Sequence, residues 1–158
     1  MLDLRTPGLR RRLTLAVIGL HGLVLRLSRG RLLDRVAGMP VVLVTTTGRR
    51  TGRRRTTPLT TIPHGDALLL VGSAGGSDRP PAWSLNLEAA GRCEVTRRGV
   101  TAWMTATRAD AEERARLWPV VVARYAGYGR YQARTTREIP VFVLVPDVPV
   151  APEGAPAP

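Results

Sequence analysis

The chain has no lysine: all 24 basic residues are arginine, set against 12 acidic ones for a formal net charge of +12. Such an excess attracts anions, whether nucleic acid, lipid headgroups or an acidic small molecule, and does not choose among them. Cysteine is nearly absent. The lone Cys93 excludes an internal disulfide and a thiolate metal cluster, and it points to a reducing, intracellular setting. Histidine occurs only at positions 21 and 64, far apart in sequence, so no imidazole metal site is expected. Long apolar runs are missing as well. The stretch Leu13 to Leu27 covers about 15 residues, short for a spanning helix. It runs into Ser28-Arg29-Gly30-Arg31 rather than a small-residue cleavage site, so neither a cleaved leader nor a membrane-crossing anchor is expected. No glycine spacing matches GxxxxGK[ST] or GxGxxG, which sets aside the nucleoside-triphosphate loop and the dinucleotide fingerprint.

At 158 residues the chain suits one domain with a real core. Residues 1–38 read as a basic and apolar helical segment with arginines at both ends of its apolar run. Such a helix either covers one face of the domain or lies in a membrane interface with its arginines on headgroups. From Met39 the pattern turns strand-like, and strands are expected at Val41 to Thr46, Thr56 to Ile62, Ala67 to Ser73, Arg92 to Thr96, Val100 to Thr107 and Ile139 to Val145. Pro58 lacks a ladder donor and consigns the second strand to an edge or bulge. Pro80-Pro81 opens a short helix that Gly91 closes. Asp110 caps a helix from Ala111 to Tyr125, which Pro119 is expected to kink or divide. Residues 147–158 form a Pro/Ala-rich tail with no means of building a core, expected to be disordered. The expectation is a mainly β, α+β domain over residues 39–146: a six-stranded antiparallel, barrel-like sheet with peripheral helices.

Three constellations carry chemistry. Thr45 to Leu59, TTTGRRTGRRRTTPL, packs five arginines, two glycines and six threonines into fifteen residues directly behind a strand. Guanidinium forks, hydroxyls and backbone donors at one strand end suit a phosphorylated, anionic ligand. A solvated hairpin is the plain alternative. Second, Trp83 and Asn86 in Pro81-Ala82-Trp83-Ser84-Leu85-Asn86-Leu87 lie three apart on one helix face, an aromatic wall beside an amide, or core packing plus a helix-end hydrogen bond. Third, all three tyrosines of the chain fall at Tyr125, Tyr128 and Tyr131, a spacing that shares one face of a helical turn and forms either a pocket wall or core. Gly127 and Gly129 weigh against a regular helix there.

Taken in order, these segments resemble the deazaflavin (coenzyme F420)-dependent nitroreductase and quinone reductase family over about residues 40 to 146. The first looks like the family's G-R-x-[ST]-G-x-x-R loop and following x-x-P-L. Leu69 to Gly76, the Trp83 helix, and the tyrosines followed by Arg137-Glu138-Ile139-Pro140-Val141 match in sequence order. The resemblance implies a split β-barrel of the FMN-binding type and an oxidoreductase that delivers a hydride from reduced F420 to a quinone or nitroaromatic acceptor. It implies that Arg49, Arg50 and Thr51, with Arg55, Thr56, Thr57, Pro58, Leu59 and Thr60, hold the coenzyme's phosphate and acidic tail. Val71, Gly72, Ser73 and Ala74, and Ala82, Trp83, Ser84, Leu85 and Asn86, are implied to border the deazaflavin ring. Tyr125, Tyr128 and Tyr131, together with Ser73, are implied to line the acceptor side, with Tyr128 foremost.

Arg50 and Arg55 stand at motif positions and are expected to face the ligand, whereas Arg53 and Arg54 stand at variable positions and are expected to be solvated. The chain departs from the family's common pattern at Ala74 and Thr60, where lysine and an aromatic are usual, and so loses a donor and a stacking surface. A cytoplasmic enzyme is the expected setting, with peripheral contact on the inner membrane face through the amino-terminal segment, and pairing as a homodimer, left open. Two readings compete: a non-catalytic F420 carrier, and an arginine-rich nucleic-acid-binding protein. The second is weakened because most aromatics lie outside the arginine loop.

Overall fold

The computed structural model describes residues 35–147; residues 1–34 of the expected amino-terminal helical segment (1–38) and residues 148–158 of the expected tail (147–158) lie outside the described residues. Eight strands form one antiparallel sheet: β1 (Arg35–Val36), β2 (Met39–Thr47), β3 (Arg54–Thr60), β4 (Ile62–His64), β5 (Ala67–Val71), β6 (Arg92–Arg97), β7 (Val100–Arg108) and β8 (Val141–Pro146). Their spatial order is β1-β2-β6-β7-β8-β5-β4, and β3 pairs with the other side of β2. Among the described residues three helices accompany them, α1 (Ala82–Ala90), α2 (Ala111–Arg124) and α3 (Gly127–Gln132), with a 3-10 turn at Ala74–Gly76.

The six expected strands are present, and β1 and β4 are short additions. The single strand expected from Thr56 to Ile62 is split at Thr61. The Thr61 N–H donates to Pro40 O at 2.8 Å, whereas Ile62 turns to face Leu69 on β5. A buried threonine thus marks the corner where the chain changes partner. β3 pairs with β2 alone among the described strands, with Pro58 opposite Leu43, so the missing donor falls at the edge.

Alternation along the strands builds two cores. Val42 and Val44 of β2, Leu70 of β5, Phe142 and Leu144 of β8 and Met104 of β7 point into the barrel, where Trp83 and Leu87 of α1 close it. The Trp83 and Phe142 rings meet at 5.9 Å with planes 58° apart. Their neighbours Leu69, Val71 and Val141 face the other way, against Leu117 and Val121 of α2 and Tyr128 of α3. Each fully buried Phe or Leu contributes about 1.5–3 kcal/mol.

The helix ends follow local chemistry. Gly91 closes α1 at φ 65°, ψ 3°, and its N–H donates to Leu87 O at 2.8 Å. Asp110 caps α2 by accepting the Glu113 N–H at 2.8 Å. Of the two outcomes expected at Pro119, division does not occur: α2 is continuous from Ala111 to Arg124. Pro119 and Ala115, the residue whose carbonyl it leaves without a donor, are both exposed, so water can take that carbonyl. The tyrosine segment is helical despite its glycines. A Cβ at Gly127 would collide with the Tyr125 ring, so the close approach of chain and ring requires glycine there.

Candidate active site

The β2–β3 connection is a tight loop. Gly48 N–H donates to Arg53 O at 2.8 Å, and Gly48 O accepts from Gly52 N–H at 2.7 Å and Thr51 N–H at 3.1 Å. Asn86 of α1, 6% exposed, ties this loop to the helix: its Oδ1 accepts the Arg49 N–H at 3.1 Å, and its Nδ2 donates to Thr46 Oγ1 at 3.5 Å. Register does the rest. Arg55 and Thr57 stand opposite Thr46 and Val44, on the inward face of β3 shared with Leu59. The result is a cavity of about 660 Å³ between the loop, β3 and the start of α1, lined by Gly48, Arg49, Arg50, Thr51, Arg54, Arg55, Thr56, Thr57, Ala82, Trp83 and Asn86.

Arg53 is exposed and lies off this cavity. Arg54 departs from expectation. Rather than being merely solvated, its Nη2 donates to Glu94 Oε2 at 2.6 Å while the side chain stays at the cavity rim. That hydrogen bond raises the Arg54 guanidinium and holds the Glu94 carboxyl below its usual range. Sequence spacing gave no sign of this pair, because residues 54 and 94 meet only through the pairing of β3 and β6 with β2.

The tyrosines gather as their spacing implied. Tyr125 and Tyr128 meet edge to face at 5.4 Å, Tyr128 and Tyr131 at 6.1 Å, and Tyr125 and Tyr131 at 6.3 Å. Tyr128 is 5% exposed, and its hydroxyl shares a hydrogen bond of 3.1 Å with Thr60 Oγ1. Burial pushes the Tyr128 phenol above its ordinary value, and the hydrogen bond with Tyr125, followed by burial, does the same for Tyr131. This cluster does not line the arginine cavity. Strand β3 joins the two regions, with Thr57 on the cavity and Thr60 against Tyr128.

Of the remaining sequence-derived positions, Pro58 and Leu59 continue β3, with Leu59 packed on the barrel core. Val71 packs in the second core, and Gly72, Ser73 and Ala74 form the turn that follows β5. A Cβ at Gly72 would stand 2.8 Å from Pro140 Cγ, so glycine lets this turn approach the Pro140 ring that precedes β8. Ser84 is buried and donates to Pro81 O at 2.9 Å; Leu85 is half-buried. Gly48, inside the loop motif, lines the cavity without being among the expected site residues, and Arg54 joins it there.

Chemically, the cavity sets four guanidiniums and the first turn of a helix beside an apolar wall of Ala82 and Trp83. That donor set suits a ligand with an anionic portion and a flat apolar one. Residues 20–146 match the family model described as F420H(2)-dependent quinone reductase. The chain belongs to this family. An F420H(2)-dependent quinone reductase of Mycobacterium tuberculosis (strain H37Rv), Rv1261c, is 40% identical over 142 residues, covering 86% of this chain and 94% of that protein. A solved F420-H2 dependent reductase, FDR-A, is 35% identical with a TM-score of 0.60 and covers 66% of this chain and 93% of its own. A structure described as a domain-swapped dimer is 31% identical with a TM-score of 0.63, covering 88% of this chain and 99% of that one.

This F420H(2)-dependent quinone reductase family member is therefore an oxidoreductase of split-barrel type whose cofactor is reduced F420. The enzyme reading is favoured over the carrier and nucleic-acid readings. The residues present fit the group. Arg49, Arg50 and Arg55 line the cavity and would supply charge-assisted donors to phosphate and carboxylate, and Trp83 would supply an aromatic wall.

Proposed function

We propose that the enzyme reduces a quinone, with the coenzyme's anionic portion held in the arginine cavity and the acceptor against the tyrosine cluster. The observation that carries this reading is the cavity of about 660 Å³ in which four arginines meet the Trp83–Asn86 face of α1. When bound, the coenzyme supplies a hydride equivalent for two-electron reduction. The chain supplies position and protons. Arg50 and Arg55 hold the anionic portion, and Asn86 keeps their loop against α1 through the Arg49 N–H. Tyr128 keeps its proton throughout the neutral range because burial raises its phenol, and the 3.1 Å bond to Thr60 Oγ1 fixes its hydroxyl beside the proposed acceptor space. A proton from this pair or from water completes reduction of the acceptor.

Nitroaromatics fall within the same acceptor class, being flat and electron-poor. The arginine-flanked amino-terminal segment would bring the site to the inner face of the cell membrane, where quinones dissolve. Among the described residues no helix is long and apolar enough to cross a membrane. A homodimer is part of the proposal, in keeping with the domain-swapped dimer among the similar structures; light scattering of the purified protein reads its mass.

The test is turnover. With reduced F420 and menadione, purified protein should oxidise the coenzyme far faster than buffer alone. Protein that binds the coenzyme yet accelerates no reaction across a panel of quinones and nitroaromatics contradicts the proposal.

A further inference from the structure

We infer that Arg137 is a positioning residue that fixes the spacing between the two walls of the proposed site, by clamping the turn after β5 to the tyrosine-bearing segment. The inference rests on the proposed function, with the acceptor against the tyrosines, and on the family resemblance, which implies that Gly72 to Ala74 border the coenzyme ring.

The clamp is built from one side chain. Arg137 Nη2 donates to Gly72 O and Ser73 O, each at 2.9 Å, and Nε donates to Ser77 O at 2.8 Å. The carbonyls of three residues, spread over one turn, are held by a single rigid plane of donors. The other end is anchored to α3. Gln132, its last residue, donates from Nε2 to Arg137 O at 2.8 Å and accepts the Ile139 N–H at 2.9 Å. Thr135 Oγ1 donates to Asp78 Oδ1 at 2.7 Å, a second tie between the two segments. Space is as tight as the bonding: a Cβ at Gly76 would lie 2.6 Å from Tyr131 O.

The turn needs such a hold. Ala74, Gly75 and Gly76 have successive positive φ values of 45°, 66° and 84°, and at Ala74 a side chain is forced into a region that glycine favours. The arrangement is also a poor way to gain stability. Arg137 Nη1 is buried with no hydrogen-bond partner among the described residues, and burial lowers the guanidinium's pKa. A partly desolvated cation with an orphan donor is tolerated where it sets geometry. Lysine at this position would keep the charge but, as a point donor, could not span the carbonyls of Gly72, Ser73 and Ser77.

The experiment compares wild type, Arg137→Lys and Thr135→Val by three readouts: F420 affinity by fluorescence titration, kcat and KM with menadione, and amide hydrogen exchange over residues 71–78 in coenzyme-free protein. Arg137→Lys should leave coenzyme affinity within about twofold, because the arginine cavity is untouched, and lower kcat by up to roughly 100-fold, the scale of a misplacement near 1 Å. Exchange over 71–78 should quicken. Thr135→Val, which removes the tie to Asp78 at 2.7 Å and the acceptor of the Arg137 N–H at 3.3 Å but leaves the Arg137 side-chain bonds in place, should show the same pattern more weakly, and it carries the test if the lysine variant fails to fold. Unchanged kcat in Arg137→Lys, or in Thr135→Val where that variant stands in, overturns the inference while wild-type turnover leaves the functional reading intact. Affinity, kcat and melting temperature falling together overturns it in favour of a purely structural role. Wild-type protein that reduces no acceptor refutes the functional reading and this inference with it.

Discussion

Asn86→Ala breaks the link between α1 and the arginine loop at a single point. Arg49 N–H loses its acceptor at 3.1 Å, and the Thr46 hydroxyl, 2% exposed, loses an amide neighbour at 3.5 Å. The first bond contributes about 1 kcal/mol net, and Arg49 is exposed enough for water to take over its N–H. The second is long and adds less, so the stability loss should be about 1–2 kcal/mol, a fall in Tm of roughly 3–8 °C. The larger effect should fall on binding. A released loop must be ordered when the ligand arrives, and each 1.4 kcal/mol of that cost weakens affinity about tenfold. Thermal melting by circular dichroism and fluorescence titration with F420 separate the two. A lowered Tm with unchanged coenzyme affinity would refute the reasoning, leaving Asn86 as a packing residue alone.

Tyr128→Phe removes the bond to Thr60 and should cost about 0.5–1.5 kcal/mol of stability, while lowering turnover more than coenzyme affinity; equal losses in both would assign Tyr128 to packing. Because burial raises its phenol, the folded state keeps the Tyr128 proton at a pH where the unfolded chain releases it. Its contribution to stability is thus complete below about pH 10, the unfolded value, and declines as pH rises through the folded one. Denaturant midpoints measured upward from pH 9 should fall less steeply in Tyr128→Phe than in wild type, and parallel slopes would contradict the assignment. Cys93 is buried in the barrel and its thiol is pushed up to about 12, chiefly by burial. Alkylation by iodoacetamide at pH 8 should therefore be slow in the native protein and rapid in urea; equal rates would mean that the β6–β7 core opens freely.

Much of this fold was legible because its strands are short β-branched runs between strong turn signals. β2 reads as a strand from Val41-Val42-Leu43-Val44, and Arg98-Gly99, with φ values of 48° and 87°, closes the β6–β7 hairpin as a turn residue pair should. β1 and β4 escaped because two and three residues carry no periodicity. Pro119 leaves α2 undivided because its face of the helix is wet, which local rules do not register. The arginine cavity was legible for a similar local reason: Arg49, Arg50 and Arg55 sit in one loop motif, and Trp83 and Asn86 share one helix face. The Arg54–Glu94 pair spans 40 residues of sequence and the Arg137 side-chain contacts 60 to 65, and only the completed sheet brings them together.

The central claim is that the cavity between the arginine loop and α1 holds the coenzyme. The direct measurement is a fluorescence titration with F420 beside FMN, performed on wild type and on Arg55→Ala. The account predicts that wild type prefers F420 and that Arg55→Ala binds it roughly 10- to 100-fold more weakly, the loss of a charge-assisted bond of about 1.5–3 kcal/mol. Preference for FMN, or an Arg55→Ala affinity equal to wild type, would contradict it.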